Sequence, residues 1–154
     1  NRFPGHLVAI VPMPKLTLND IGTSTTEIMS EYFDISNTDY WMDTSGVYPS
    51  GATKRFVLAG VIQKSNNNAS SQSFSLNITY TSNAGNMMTP TSQTIGVGGS
   101  FYYAAHNRQF MSAPFELASG GNQNNHRFQA YLSNLSTSGL TAKIIALNLY
   151  VYLS

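Results

Sequence analysis

The stretch AKIIALNLYVYLS, residues 142–154, decides the fold class because apolar side chains occupy both of its alternating faces. Successive side chains of a β-strand point to opposite faces of the sheet, so every second residue shares a face. The first face is wholly apolar, as in a strand packed on a core. The second is mostly apolar and carries two tyrosines, so it also needs cover. The faces hold Ile145, Leu147, Leu149, Val151 and Leu153 on one side, and Ile144, Ala146, Asn148, Tyr150 and Tyr152 on the other.

Strand-like segments also recur through the preceding hundred or so residues, separated by turn-forming Gly, Ser and Asn. TKRFVLAGVIQK (residues 53–64) is apolar on both faces, whereas SFSLNITYT (residues 73–81) alternates between apolar and polar residues. The pattern predicts an all-β fold, an antiparallel β-sandwich of jelly-roll type with seven or eight strands.

Glycines and turn residues predict two further details of the strands, an irregularity within one strand and a hairpin between the last two. Gly96, Gly98 and Gly99 interrupt the strand predicted over residues 92–105, which indicates a bulge or a bend. Residues 126–136 and the closing strand flank a short Thr-Ser-Gly connection, so we expect them to form a hairpin.

The N-terminal part contains at most one short helix. Ser24 followed by Glu27 has the form of a capping box, although the threonine content leaves a strand open as the alternative. The 154 residues show no linker, so we expect a single β-sandwich domain over 1–154. Residues 1–50 would supply a covering segment and loops, and 51–154 the main strands. The chain begins without methionine, which favours a piece of a longer protein.

Charge is scarce and unevenly placed. Charged residues make up 10% of the chain, against about 25% in ordinary globular domains. The net charge of +1 argues against nucleic acid as a partner, since phosphate binding needs clustered cations. No apolar run is long enough for membrane insertion. Residues 1–43 hold two cations against six acids, and the remainder holds six cations against Glu116 alone.

Catalytic and metal-binding patterns are weak. His6, His106 and His126 match no metal-ligand or catalytic spacing, and the chain has no cysteine. An acid pair for glycoside hydrolysis is lacking after Asp43. The acidic loop from Asp34 to Asp43 could offer oxygens to calcium, but a solvated loop is the simpler interpretation. We therefore expect a non-enzymatic protein with no cofactor and no metal.

Two polar loops are candidates for ligand binding. Aromatic rings can stack on the apolar face of a sugar while carboxylates and amides bind its hydroxyls. In the alternative interpretation, the single tryptophan fills the core beneath its loop and the second loop is a solvated turn. The candidate ligand residues are Tyr40, Trp41, Asp43 and Tyr48 in the first loop, and Asn124, His126 and Arg127 in the second.

Strands that are apolar on both faces imply a third layer, because a two-sheet sandwich buries only one face of each sheet. Residues 7–35 could fold back over one of these faces, and a neighbouring subunit could cover the other. Tyrosine is common at subunit interfaces because it buries area and keeps a polar tip. The candidate interface residues are Val57, Val61, Tyr150 and Tyr152.

The strands from Phe56 to Leu153, with the low charge and the closing strand, resemble the trimeric jelly-roll heads of viral and bacteriophage fibres, spikes and tail needles. The resemblance implies a non-enzymatic adhesion head at the virion surface. It would assemble as a homotrimer and bind a host cell-surface receptor such as a glycan, with avidity from its three copies. Such heads follow a shaft, which this sequence lacks.

Other classes of protein would share much of this pattern. A monomeric carbohydrate-binding module would use the Trp41 loop and cover its last strand within one chain. A virion coat or decoration protein would assemble beyond a trimer. A small sandwich hydrolase is a more distant alternative, and it would depend on the histidines or Glu116.

Overall fold

A computed structural model of the chain describes residues 5–23, 30, 54–66, 70–81, 93–116, 127–136 and 139–153. Within these residues the only helical element is a 3-10 turn, Pro14–Leu16. The predicted helix, with its capping box at Ser24 and Glu27, lies almost wholly outside this part, and Ser30, which is described, is not helical. The strands are β1 (His6–Pro12), β2 (Asp20–Ile21), β3 (Lys54–Lys64), β4 (Gln72–Thr81), β5 (Gln93–Phe101), β6 (Asn107–Met111), β7 (Arg127–Ser133) and β8 (Ala142–Leu153).

The strands form two antiparallel sheets that pack against each other, which confirms the predicted β-sandwich. The first sheet has the order β1-β8-β3-β6, with β2 also paired to β8. The second sheet has the order β5-β4-β7. Strands β1 and β2 follow one another along the same edge of β8, while β3 pairs with the other edge along its whole length.

The chain passes to the second sheet directly after β2. The backbone N–H of Leu132 donates to the carbonyl oxygen of Gly22 at 2.7 Å, and Ser30 N–H donates to the Phe128 carbonyl at 2.8 Å. Gly22 and Ser30 therefore border β7. In both sheets most neighbouring strands are distant in sequence, as in β-sandwiches with Greek-key connections.

The predicted hairpin between the last two strands was wrong. β7 pairs with β4 in the second sheet, whereas β8 pairs with β1, β2 and β3 in the first. The short connection between β7 and β8 crosses from one sheet to the other. In a β-sandwich, neighbours in sequence often belong to opposite sheets, so a short turn does not by itself indicate pairing.

The alternation in β8 holds over most of the strand and changes at one position. Leu147 and the alternate residues after it are buried in the core, as predicted. The register with β3 passes from Ile144 directly to Ala146, so a bulge falls at Ile145. The prediction for this pair was wrong: Ile144 is fully buried in the core, and Ile145 is half-buried.

The core lies between the inner faces of the two sheets. Phe74 and Phe101 stack there with ring centroids 4.6 Å apart, close to Leu76 and Ile62. The apolar face predicted for residues 73–81 is confirmed at Phe74, Leu76 and Ile78. Burial of this kind contributes about 25 cal/mol per Å² of apolar surface.

The glycines of β5 do not mark a bulge, which was one of the two features predicted for them. Residues 93–101 pair with β4 in unbroken register. Gly99 has a packing role instead, because a side-chain carbon there would lie 3.0 Å from Cζ of Phe74. The absence of a side chain allows that ring to pack against the strand.

Serines complete the backbone pairing next to several strands. In each case the serine N–H donates to a carbonyl oxygen, and the serine Oγ accepts the N–H of the same partner residue. A hydroxyl thus replaces the backbone carbonyl that a further strand residue would have provided. The three serine–partner pairs are Ser112 with Leu58, Ser30 with Phe128 and Ser136 with Ser73.

Candidate functional site

The structure describes only part of the predicted ligand site. Arg127 is described as the first residue of β7, where it pairs with Thr81. Its side chain and the other six candidates lie outside the described residues, so their role stays a prediction. Those six are Tyr40, Trp41, Asp43, Tyr48, Asn124 and His126.

The four predicted interface residues share one face of the first sheet. Val57 lies directly opposite Tyr150 on β8, and Val61 lies opposite Ala146. Tyr152 lies opposite Arg55 one row further on. Val57 is buried, whereas Val61 and the two tyrosines are half-buried. These side chains point away from the second sheet, and we call this side of the first sheet its outer face.

The flanking strands extend the outer face with further apolar side chains. Ile10 of β1 lies opposite Tyr150, and Met111 of β6 lies opposite Ala59. Ile10 is 38% exposed and Met111 is 69% exposed. Ala59, Val61, Met111 and Tyr150 line an open groove across the strands. An apolar surface thus runs from one edge strand of the sheet to the other.

The outer face of the second sheet has the opposite character. Asn77 Nδ2 donates to Ser133 Oγ at 2.6 Å, and Asn134 Nδ2 donates to Ser75 Oγ at 3.3 Å. Tyr131 lies opposite Asn77 on this polar face and is half-buried. Among the described residues, the outward side chains of the second sheet are therefore mostly polar, unlike those of the first sheet.

Charges lie at the two ends of the apolar face. Arg55 Nε lies 3.9 Å from Oε1 of Glu116 at one end, and Lys143 Nζ lies 3.9 Å from Oδ1 of Asp20 at the other. All four side chains are well exposed, and such pairs contribute little to stability. The rows of β3 and β8 between Arg55 and Lys143 carry no charged side chain on this face. Such a face is suited to contact with another apolar surface.

A second surface feature was not singled out by sequence reasoning. β5 ends at Phe101, four residues short of the predicted strand end, and the chain turns before β6. Tyr102 and Tyr103 both leave the sheet at this turn and are 60% and 58% exposed. The adjacent tyrosines were a visible signal, but as part of a strand they would have pointed to opposite faces. We call residues 102–106 the tyrosine turn.

His106 holds the tyrosine turn together. Its imidazole stacks on the Tyr103 ring with centroids 4.2 Å apart and lies 5.7 Å from the Tyr102 ring. Its Nδ1 accepts the backbone N–H of Tyr102 at 3.0 Å, which places the ring proton on Nε2 in the neutral tautomer. The His106 carbonyl accepts the N–H of Lys64 at 3.1 Å, which ties the turn to the end of β3.

Comparison with known proteins identifies no family. The sequence matches no protein-family model, and a search of curated proteins gives no match. In the described part of the chain, no three His, Cys, Asp or Glu side chains are grouped so that they could hold a metal ion. Nor does any helix in that part have the length and apolar character to cross a membrane.

Proposed function

We propose that this protein is a non-enzymatic adhesion head of a viral or bacteriophage fibre, spike or tail needle. The apolar outer face of the first sheet is the observation that carries the proposal. Its rows from Ile10 through Tyr150 and Val57, and from Asn148 through Ala59 to Met111, form a broad surface without charge. A protein exposed outside a cell needs such a surface covered, since large apolar patches drive association.

The occupant of the outer face in this proposal is a second copy of the chain. Half-buried tyrosines suit a subunit contact because they contribute area with two side-chain rotations and keep a hydroxyl for water or a partner. A homotrimer would join the three copies around an axis near this face. The loops and turns at the ends of the sandwich would then remain free for a receptor on the host surface.

Light scattering after size exclusion tests the assembly. A trimeric head has a solution mass near three times 16.8 kDa. A monomer would contradict the proposal and favour a carbohydrate-binding module. Particles much larger than a trimer would contradict it in favour of a coat or decoration protein.

Binding of fluorescently labelled protein to intact cells tests the adhesive function. We expect saturable binding to at least one cell type in a panel of bacterial and eukaryotic cells. Three linked sites bind far more tightly than one, so a monomeric variant should bind about a hundredfold more weakly or not at all. A trimer that binds no cell type in the panel would contradict the adhesive role.

A further inference from the structure

The tyrosine turn exposes the rings of two consecutive residues. Among the Phe and Tyr side chains whose burial the structure describes, only those of Tyr102 and Tyr103 are exposed. An exposed ring presents an apolar face that can stack on the C–H face of a sugar ring, and its hydroxyl adds a hydrogen-bonding group at the edge. Two neighbouring rings can contact two successive sugar units.

The turn is pre-organised for binding. His106 contacts both tyrosines, and it also meets the buried Phe101 ring edge-on at 6.1 Å. The hydrogen bond from Tyr102 N–H to Nδ1 closes the turn and leaves the Nε2–H as a donor. A site that is already ordered loses less entropy on binding, which matters for a ligand with few contacts.

A cation lies over one of the two rings. The Cζ atom of Arg108 lies 6.0 Å from the centroid of the Tyr102 ring. Its NH1 nitrogen donates to the Ser100 carbonyl at 2.9 Å, which holds the guanidinium in place. The guanidinium has further N–H donors that can bind a ligand.

No described carboxylate neutralises Arg108. The two acidic side chains in the described part, Asp20 and Glu116, are paired with Lys143 and Arg55 at opposite ends of the first sheet's outer face. A guanidinium recognises a carboxylate better than any neutral group, through two parallel hydrogen bonds. The ring platform and the cation together suit a sugar that carries a carboxylate.

We propose that Tyr102, Tyr103 and Arg108, ordered by His106, form a binding site for an acidic saccharide, one that contains a sialic or uronic acid. The tyrosine rings stack on the sugar and Arg108 binds its carboxylate. This inference rests on the proposed adhesive function, because it assigns the receptor contact of that head to the β5–β6 turn and its class to acidic glycans.

A glycan array tests the site directly. The array carries sialylated and uronic acid-containing oligosaccharides, each beside its neutral counterpart. The wild type is compared with Tyr102→Ser/Tyr103→Ser, with Tyr102→Phe/Tyr103→Phe and with Arg108→Gln. We expect wild-type binding to acidic saccharides, a loss of at least about tenfold in the serine variant, and retention in the phenylalanine variant, which keeps both rings. Arg108→Gln should abolish the preference for the acidic member of each pair.

Several results would overturn the site. These are the absence of saccharide binding by the wild type, equal binding of acidic and neutral partners, or full binding by the serine variant. Thermal melting of each variant checks that the fold is kept, and Arg108→Lys preserves the charge if Arg108→Gln does not fold. The proposed function fails separately, through a monomeric mass or a lack of cell binding. Cell binding that survives the serine variant would place the receptor site elsewhere on the same head.

Discussion

A side-chain carbon at Gly60 would overlap the backbone carbonyl oxygen of Ala146 on the neighbouring strand. This close approach of β8 to β3 leaves no room for a side chain at residue 60. We expect Gly60→Ala to lower the free energy of unfolding by about 3 kcal/mol or more, since the central strand pair must move apart. Urea unfolding followed by circular dichroism measures the change.

Gly98→Ala is the matched control for Gly60→Ala. A side-chain carbon at Gly98 meets nothing within 4 Å, so the stability should change by less than about 1 kcal/mol. Equal effects at the two glycines would contradict the close approach of β3 and β8.

The bulge in β8 makes the two adjacent isoleucines unequal. Ile144 is fully buried in the core, so Ile144→Ala should cost about 2–5 kcal/mol of stability. Ile145 is half-buried, and Ile145→Ala should cost less than half as much. Chemical denaturation of both variants compares them directly. A larger loss of stability at Ile145 would mean that Ile145 faces the core, as simple alternation predicts, and would contradict the bulge.

Ser112 replaces a backbone group for Leu58, whose N–H it accepts at 2.9 Å in a buried position. Ser112→Ala leaves that N–H without its acceptor, and we expect a loss of about 1–3 kcal/mol in denaturant unfolding. Ser133→Ala is the control, because Ser133 is half-buried and its partner Asn77 can bind water instead. The control should lose less than about 1 kcal/mol. Equal losses would mean that the Leu58 N–H finds another acceptor.

Tyr150→Asp places a charge in the middle of the apolar outer face of the first sheet. We expect the variant to be monomeric by light scattering while its circular dichroism spectrum is unchanged, because burying an unpaired carboxylate at an interface is unfavourable. Tyr131→Asp makes the same change on the polar outer face of the second sheet and should keep the assembly. A Tyr150→Asp protein that still assembles would place the subunit contact elsewhere.

Local patterns in the sequence were sufficient to predict most of the strands and the class of fold. Alternation places Phe74, Leu76 and Ile78 in the core, and the doubly apolar strands β3 and β8 are neighbours in the middle of the first sheet. Period-two patterns report which face a residue occupies, and this depends only on the residue's own strand. For the same reason, Val57 and Val61 were predicted to share one face of their strand, and Tyr150 and Tyr152 one face of theirs. That these two faces lie side by side depends on the pairing of β3 with β8, which was not predicted.

Features that depend on a distant partner were not predictable in this way. The bulge at Ile145 depends on the register with β3, and two adjacent isoleucines are compatible with either of them facing the core. The separation of β7 from β8 depends on the pairing of β8 with β1, which precedes it by most of the chain. The tyrosine turn depends on where β5 ends, and Phe101, Tyr102 and Tyr103 would all suit a strand.

The central position of β8 in the first sheet has a consequence for biosynthesis. β1, β2 and β3 all pair with β8, which the ribosome makes after the other described strands. At about 5–20 residues per second, the earlier strands wait several seconds for their common partner. During that interval their N–H and C=O edges are open, on a chain with few charges to keep copies apart. Translation of several copies close together on one messenger RNA is therefore the stage at which this protein is most exposed to misassembly. Chaperones that bind unfolded chains should increase its yield more than substitutions that slow unfolding of the native protein.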